Sequence, residues 1–269
     1  MKIATCAKVN LGLNIVSKRP DGYHNLETVF YPIALSDEIE ITPLSSEGCQ
    51  LRISGTPIEG DPQKNLVVKA YNLLASHYKL PGVCINLQKN VPMQAGLGGG
   101  SADCAYTLRL LNEMFALNIP PATLRQYAAS LGADCAFFID PQPSYAEGIG
   151  EKLEPVGIDL SSYQMVIVKP NIAVSTREAF ANIHPHRPQK SCREIIAQPI
   201  ETWREELTND FEESIFPQHP GIRIIKEKLY EQGAVYAAMS GSGSAVFGIF
   251  EHADESMGEL FDNCFFKIV

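Results

Sequence analysis

Residues 92 to 103 read Pro92-Met93-Gln94-Ala95-Gly96-Leu97-Gly98-Gly99-Gly100-Ser101-Ala102-Asp103, with glycine at four of the five positions from 96 to 100. Glycine admits positive φ and lets a ligand approach the backbone with no Cβ in the way. The segment follows the alternating Val83, Ile85 and Leu87 and opens a run of helical spacing at Cys104, Leu108, Leu111 and Phe115. At a strand-to-helix junction, successive N–H groups converge and the helix dipole adds partial positive charge, which suits an anion and above all phosphate. A Walker loop would need a lysine after its last glycine, but Ser101 follows Gly100 directly. A dinucleotide fingerprint counted from Gly96 would need glycine where Ser101 stands. A flexible turn before a helix also accounts for the glycines.

A phosphate loop with no lysine of its own must draw cationic charge from elsewhere, because phosphoryl transfer is mostly positioning and charge stabilisation. Lys8 stands in the near-apolar Ala7-Lys8-Val9-Asn10-Leu11, and Asp134 stands between Gly132-Ala133 and the apolar Cys135-Ala136-Phe137-Phe138-Ile139. Either could be functional; a solvated lysine and a helix-capping aspartate are the plainer alternatives. A second small-residue stretch, Met239-Ser240-Gly241-Ser242-Gly243-Ser244, lies between two apolar runs. It reads equally as a hairpin turn or as a loop that closes on a polyphosphate.

These residues need a scaffold. The spacing predicts strands at Ile39–Ile41, Leu51–Ile53 and Val83–Leu87, and a helix capped by Asn65 with Leu66, Ala70, Leu73, Leu74 and His77 on one face. A shorter helix carries Leu124, Tyr127, Ala128 and Leu131, with Gly132 placed to end it. Beyond Asp140-Pro141-Gln142-Pro143 come a strand at Met165–Val168 and helices near Thr176–Ile183, Glu201–Ile215 and Gly221–Gln232. A strand–loop–strand at Val235–Phe250, a helix near Asp254–Asn263 and a final strand at Phe265–Val269 complete the chain. Strands and helices mix without strict βαβ alternation, which predicts the α+β class. A boundary near residues 150–160 divides it into domains at 1–153 and 154–269.

The 269 residues, 45% hydrophobic and 20% charged, have the composition of a globular protein with a proper core. A net charge of −9 argues against broad nucleic-acid or membrane-surface binding. The seven cysteines are scattered with no CxxC spacing, and the N-terminal stretch is broken by Lys8, Asn10 and Asn14. A reduced, cytoplasmic protein without a signal peptide is the expectation. His184-Pro185-His186 reads as solvated histidine, so no metal ligand is assigned.

Residues 92–102 resemble the phosphate loop of the GHMP kinases, and Met239-Ser240-Gly241-Ser242-Gly243 resembles their C-terminal glycine motif. Ala7-Lys8-Val9-Asn10-Leu11-Gly12-Leu13, joined to Arg19-Pro20-Asp21-Gly22-Tyr23-His24-Asn25-Leu26, is similar to one branch of that family. That branch phosphorylates a cytidine-diphosphate-bearing alcohol of the non-mevalonate isoprenoid pathway. Residues 131–138, 146–151 and 209–212 fit the same pattern in order.

The resemblance implies a two-domain α+β fold, ribosomal protein S5 domain 2-like then ferredoxin-like. It implies ATP and Mg2+, with Pro92, Met93, Gln94, Ala95, Gly96, Leu97, Gly98, Gly99, Gly100, Ser101 and Ala102 around the nucleotide. Asp134 would take the substrate's hydroxyl proton, with Lys8 offsetting charge and Asn10 bonding near that hydroxyl. Tyr23 and His24 would bind cytidine, Phe180 would cover the other side of the base, and Thr176 and Gly241 would contact substrate. Phe180 could equally be helix core. The implied partner is a small molecule, with no nucleic acid or membrane, and the chain a monomer or homodimer. Another GHMP alcohol kinase, a non-catalytic nucleotide sensor and an RNA-binding module are the competing expectations, the last disfavoured by the acidic charge.

Overall fold

The structure is a computed structural model that describes every residue of the chain except Glu59. Its strands are β1 (Lys2–Ala4), β2 (Ala7–Lys18), β3 (His24–Ile33), β4 (Glu38–Pro43), β5 (Cys49–Gly55), β6 (Val83–Lys89), β7 (Ser144–Gly148), β8 (Lys152–Pro155), β9 (Gln164–Lys169), β10 (Tyr236–Met239), β11 (Val246–Phe250) and β12 (Phe265–Ile268). Its helices are α1 (Leu66–His77), α2 (Gly99–Met114), α3 (Pro121–Leu131), α4 (Thr176–Phe180), α5 (Cys192–Ile196), α6 (Trp203–Glu206), α7 (Phe211–Ile215) and α8 (Pro220–Glu231). Helices and largely antiparallel sheets, without strict βαβ alternation, are the α+β class that the sequence predicts.

Contacts divide the chain into two compact units that interleave along the sequence. One comprises Met1–Ala7, Ala34–Met93 and Gly98–Pro141; the other comprises Lys8–Ile33, Gln94–Leu97 and Gln142–Val269. No single cut near residue 153 separates them, because β7 pairs with β3 and β8 with β7.

In the first unit the sheet order is β1-β4-β6-β5. β4 and β6 are antiparallel, with Ile41 opposite Ile85, whereas β5 runs parallel to β6, with Leu51 opposite Ile85. The side chain of Asn65 caps α1 by accepting from the N–H of Val67 at 3.0 Å. The buried face of α1 is Val67, Val68, Ala70, Tyr71 and Leu74. It is rotated from the expected Leu66, Leu73 and His77 because Val67, Tyr71 and Leu74 also recur at helical spacing. α2 buries Cys104, Leu108 and Leu111 as expected. Gly132 ends α3 in an extended conformation, φ −177°, and a 3-10 turn over Ala133–Ile139 follows, burying Cys135 to Ile139.

The second unit holds two sheets, β2-β3-β7-β8 and β10-β11-β9-β12. Its core gathers Leu13 and Ile15 with Val166, Val168, Phe211, Ile215, Ile222, Leu229, Met239, Val246 and Phe250. The helix expected over Glu201–Ile215 is instead broken between α6 and α7. Leu207 is extended there, and residues 208–210 pair with β2: Leu13 N–H donates to Thr208 O at 2.8 Å and Asp210 N–H to Leu13 O at 2.9 Å. The Asp210 carboxylate also accepts from the N–H of Ile15 at 2.7 Å. Tertiary pairing thus takes backbone groups that a continuous helix would have used. The helix expected from Thr176 to Ile183 stops at Phe180, and that near Asp254–Asn263 is a 3-10 turn, Glu255–Leu260.

Candidate active site

Lys8 and Asn10 lie two residues apart on β2 and are almost wholly buried. Burying an ammonium is costly unless it is paired or hydrogen-bonded. The Lys8 Nζ donates to Asn10 Oδ1 at 2.6 Å and to the Gly96 carbonyl at 2.8 Å, and it lies 5.2 Å from the centre of the Phe30 ring. Asn10 Nδ2 donates to Thr28 Oγ1 at 3.0 Å, and the Thr28 hydroxyl donates to the Gly12 carbonyl. The expected lysine is therefore a fixed cation, held by a chain of bonds that spans β2 and β3.

The Gly96 carbonyl is itself positioned by the second glycine stretch. Ser240 Oγ donates to it at 2.9 Å, while Ser244 N–H donates to Gln94 O at 3.3 Å and Ala245 N–H to Ala95 O at 3.1 Å. Residues 94–96 thus run against the 240–245 loop. A Cβ at Gly96, where φ is +73°, would stand 1.8 Å from Ser240 O, so only glycine fits. A Cβ at Gly241 would stand 3.3 Å from both Asn10 Oδ1 and Gly96 O. Lys8, Asn10, Gly96 and Gly241 are thereby brought together, as sequence spacing alone could not ensure.

Asn209 completes this arrangement. Its Nδ2 donates to Met239 O at 2.7 Å and Gly241 O at 2.9 Å, and its Oδ1 accepts from Phe211 N–H at 3.0 Å. Asn209 stood within a matching motif without a role, and Ser240 and Thr28 carried no expectation of their own. An asparagine inside an expected helix is the one local signal, because its side chain competes for backbone groups.

In the other unit, Gly98 starts α2 from a left-handed conformation, φ +71°, and, having no side chain, leaves the first N–H groups of the helix without a side-chain cap. No atom lies within 4 Å of the place where a Gly100 Cβ would stand. Backbone donors with open space beside them suit the phosphates of a nucleotide. Pro92, Met93, Ser101 and Ala102 belong to this unit, whereas Gln94, Ala95, Gly96 and Leu97 belong to the other. Asp134 is the second residue of the 3-10 turn after α3, next to the buried Cys135.

His24, at the start of β3, and Phe180, at the end of α4, are stacked, with ring centres 4.8 Å apart and planes within 17°. Phe180 also meets Phe211 edge-on at 4.8 Å, so it is both packed and partly presented. Burial first, then the charge of Lys18, holds the His24 imidazole below its ordinary range. Tyr23 precedes it at the turn and is 62% exposed. Thr176 is exposed at the first position of α4.

Among the described residues, no three His, Cys, Asp or Glu side chains form a group that could hold a metal ion. No helix among them is long and apolar enough to cross a membrane.

Two glycine-bearing segments, a buried lysine on a β-strand and an α+β scaffold define a kinase of the GHMP family. The chain matches the GHMP kinases N terminal domain over residues 65–141 and the GHMP kinases C terminal family over 192–257. It belongs to the GHMP kinases, and it is a phosphotransferase with an alcohol group as acceptor. It is 57% identical over 247 residues to a 4-diphosphocytidyl-2-C-methyl-D-erythritol kinase of Bacteroides thetaiotaomicron, covering 91% of this chain and 90% of that one. To the enzyme of the same name from Cytophaga hutchinsonii it is 45% identical, covering 96% and 95% of the two chains. A crystal structure of 4-(cytidine 5'-diphospho)-2C-methyl-D-erythritol kinase superposes with a TM-score of 0.85 at 29% identity, covering all of this chain and 98% of that one.

Proposed function

We propose that this kinase transfers the γ-phosphoryl group of ATP to the 2-hydroxyl of 4-diphosphocytidyl-2-C-methyl-D-erythritol. Relatives that align with more than nine-tenths of the chain are named as kinases of that substrate. The observation that carries the substrate assignment is the parallel stack of His24 on Phe180 beside the exposed Tyr23. Aromatic planes suit the face of a cytosine ring, and an imidazole can exchange hydrogen bonds with its edge.

In this reading the substrate hydroxyl oxygen bonds to the γ-phosphorus, the bond to the leaving ADP breaks, and the hydroxyl proton passes to Asp134. A carboxylate is a feeble base for an alcohol. In a loose transition state the proton leaves late, so Asp134 acts chiefly by orienting the hydroxyl. Lys8, already fixed by Asn10 and Gly96, offsets charge on the transferring group without reorganising. Asn10 bonds near the same hydroxyl, and the amides at the start of α2 hold the nucleotide's phosphates. Thr176 and Gly241 contact the substrate, Gly241 by leaving space beside Asn10 that a side chain would fill. Mg2+ would bind largely through the nucleotide's phosphates and through waters, where it would neutralise phosphate charge.

The test follows ADP release from MgATP with the diphosphocytidyl substrate, for wild type and Asp134→Asn. Substrate-dependent turnover in the wild type that falls at least about a thousandfold in the variant is expected. Equal turnover in both proteins removes Asp134 from its role. Turnover with methylerythritol lacking the cytidine group, at the same kcat/KM, would point to a different alcohol substrate and end the cytidine reading.

A further inference from the structure

Behind the start of α2 lies a buried ionic cluster. Lys89, the last residue of β6, is 3% exposed, Asp37 is 0% and Asp103, one turn into α2, is 3%. The Lys89 ammonium donates to Asp37 Oδ2 and to Asp103 Oδ2, the latter at 2.8 Å. Asp37 Oδ1 accepts from the backbone N–H groups of Asn90 at 2.6 Å and Val91 at 2.8 Å. The cluster therefore holds both stems of the glycine loop within this unit, Asn90 and Val91 on the strand side and Asp103 on the helix side. Lys89 Nζ lies 3.4 Å from where a Cβ of Gly99, the first residue of α2, would stand.

Two carboxylates share one cation here, and they are not equivalent. Asp37 has both oxygens engaged, but Asp103 Oδ1 is buried with no hydrogen-bond partner. With both carboxylates ionised the cluster carries one uncompensated negative charge in the interior. With a proton on Asp103 it is neutral.

We propose that the Lys89–Asp37–Asp103 cluster positions the glycine loop, and that the proton on Asp103 sets how tightly the start of α2 holds a nucleotide's phosphates. Asp103 is a positioning residue that acts through Gly99 and the helix start. The proposal rests on the reading of this loop as the nucleotide site.

Supporting it, burial first, against the pull of Lys89 and with the like charge of Asp37, pushes the Asp103 carboxyl up to about 7. Burial alone would lower Lys89, but Asp103 and Asp37 beside it raise it above its ordinary value, so the ammonium stays charged. Several charged groups on the neighbouring elements have partners of their own. On β4, Glu38 pairs with Lys2 and Glu40 accepts from Asn86; on α3, Arg125 pairs with Asp140. Lys69 of α1 acts on Cys104, and Asp134 of the 3-10 turn on Cys135.

As pH rises through neutrality, Asp103 loses its proton and the cluster turns negative behind the phosphates. A unit charge about 8 Å from a phosphate, with an effective dielectric constant of about 20 to 40, weakens an anion's binding roughly five- to thirtyfold. Asp103→Asn, which mimics the protonated acid in shape and charge, removes this dependence. ATP is titrated calorimetrically into wild type and variant between about pH 5.5 and about pH 8.5. The ratio of the two dissociation constants cancels the titration of ATP itself. It is expected near one at the acid end and to rise at least about fivefold at the alkaline end. A ratio that stays flat overturns the proposal.

Should Asp103→Asn fail to fold, carboxyl carbon NMR of the wild type decides the matter. The Asp103 signal must titrate near neutrality and shift to higher pH when ATP is added, by reciprocity of linkage. A titration indifferent to ATP overturns the proposal. Turnover of the diphosphocytidyl substrate is followed in parallel. Turnover with a flat ratio ends this inference and leaves the proposed function standing, whereas wild type that binds no ATP at any pH ends both.

Discussion

Replacing Asn209 by alanine tests whether Lys8 is placed by a network or by β2 alone. The Asn209 carboxamide is buried, gives both its N–H groups to the carbonyls of Met239 and Gly241, and accepts from the N–H of Phe211. Losing the two donated bonds costs about 1 kcal/mol each, and leaving the buried carbonyls dry adds about 1–2 kcal/mol, for a total of about 3–4 kcal/mol. For 269 residues, at about 2.1 cal/mol/K of unfolding entropy each, that lowers Tm by about 5–7 °C.

The consequence for activity runs through the 239–241 turn. Freed from Asn209, the turn no longer holds Ser240 Oγ on the Gly96 carbonyl, the same oxygen that accepts from Lys8. A displaced lysine lowers kcat by about tenfold to a hundredfold. A double-mutant cycle with Ser240→Ala separates this route from general destabilisation. Ser240→Ala alone costs about 1 kcal/mol. If the two residues act through one turn, their stability losses fall short of additive by about 0.5–1 kcal/mol, at most the whole cost of Ser240→Ala. The assays are scanning calorimetry for Tm and ADP release for kcat, on the two single variants and the double. Additive losses, or an Asn209→Ala enzyme with wild-type kcat below its Tm, would refute the reasoning.

Gly96→Ala should abolish activity and lower Tm sharply, because the new Cβ meets Ser240 O at 1.8 Å on a backbone with φ +73°; a variant with wild-type Tm would show that the 240–245 loop yields. Phe180→Ala should raise KM for the diphosphocytidyl substrate about three- to tenfold while leaving KM for ATP unchanged, from the loss of an aromatic face. Equal shifts in both constants would assign Phe180 to packing. Because His24 is held below its unfolded pKa of 6.5, the folded state binds fewer protons than the unfolded state just under that value. Its contribution to stability is therefore full above 6.5 and is lost as pH falls from there through the lower folded pKa. Tm measured across that window should decline less for His24→Gln, and identical slopes would exclude His24 as a source.

Much of this protein is local. The glycine cluster at 96–100, the apolar spacing of α2 and the position of Lys8 two residues before Asn10 are properties of short segments. Backbone freedom, helical periodicity and side-chain alternation act over a few residues, so the α+β class and the glycine-to-helix junction were legible in the sequence. Resemblance in ordered motifs added the family. Where periodicity alone decided, it overreached: residues 201–215 have helical spacing, yet Thr208 and Asp210 are taken by hydrogen bonds to Leu13 on β2.

Only the tertiary structure decided what joins what. The Gly96 carbonyl meets Lys8 from 88 positions away and Ser240 from 144, and Lys89 meets Asp37 across 52. No local pattern encodes such pairs, because a buried lysine, serine or aspartate looks the same in sequence as a solvated one. What distinguishes them is the cost of burial without a partner, and that cost exists only once the chain has folded and removed the water.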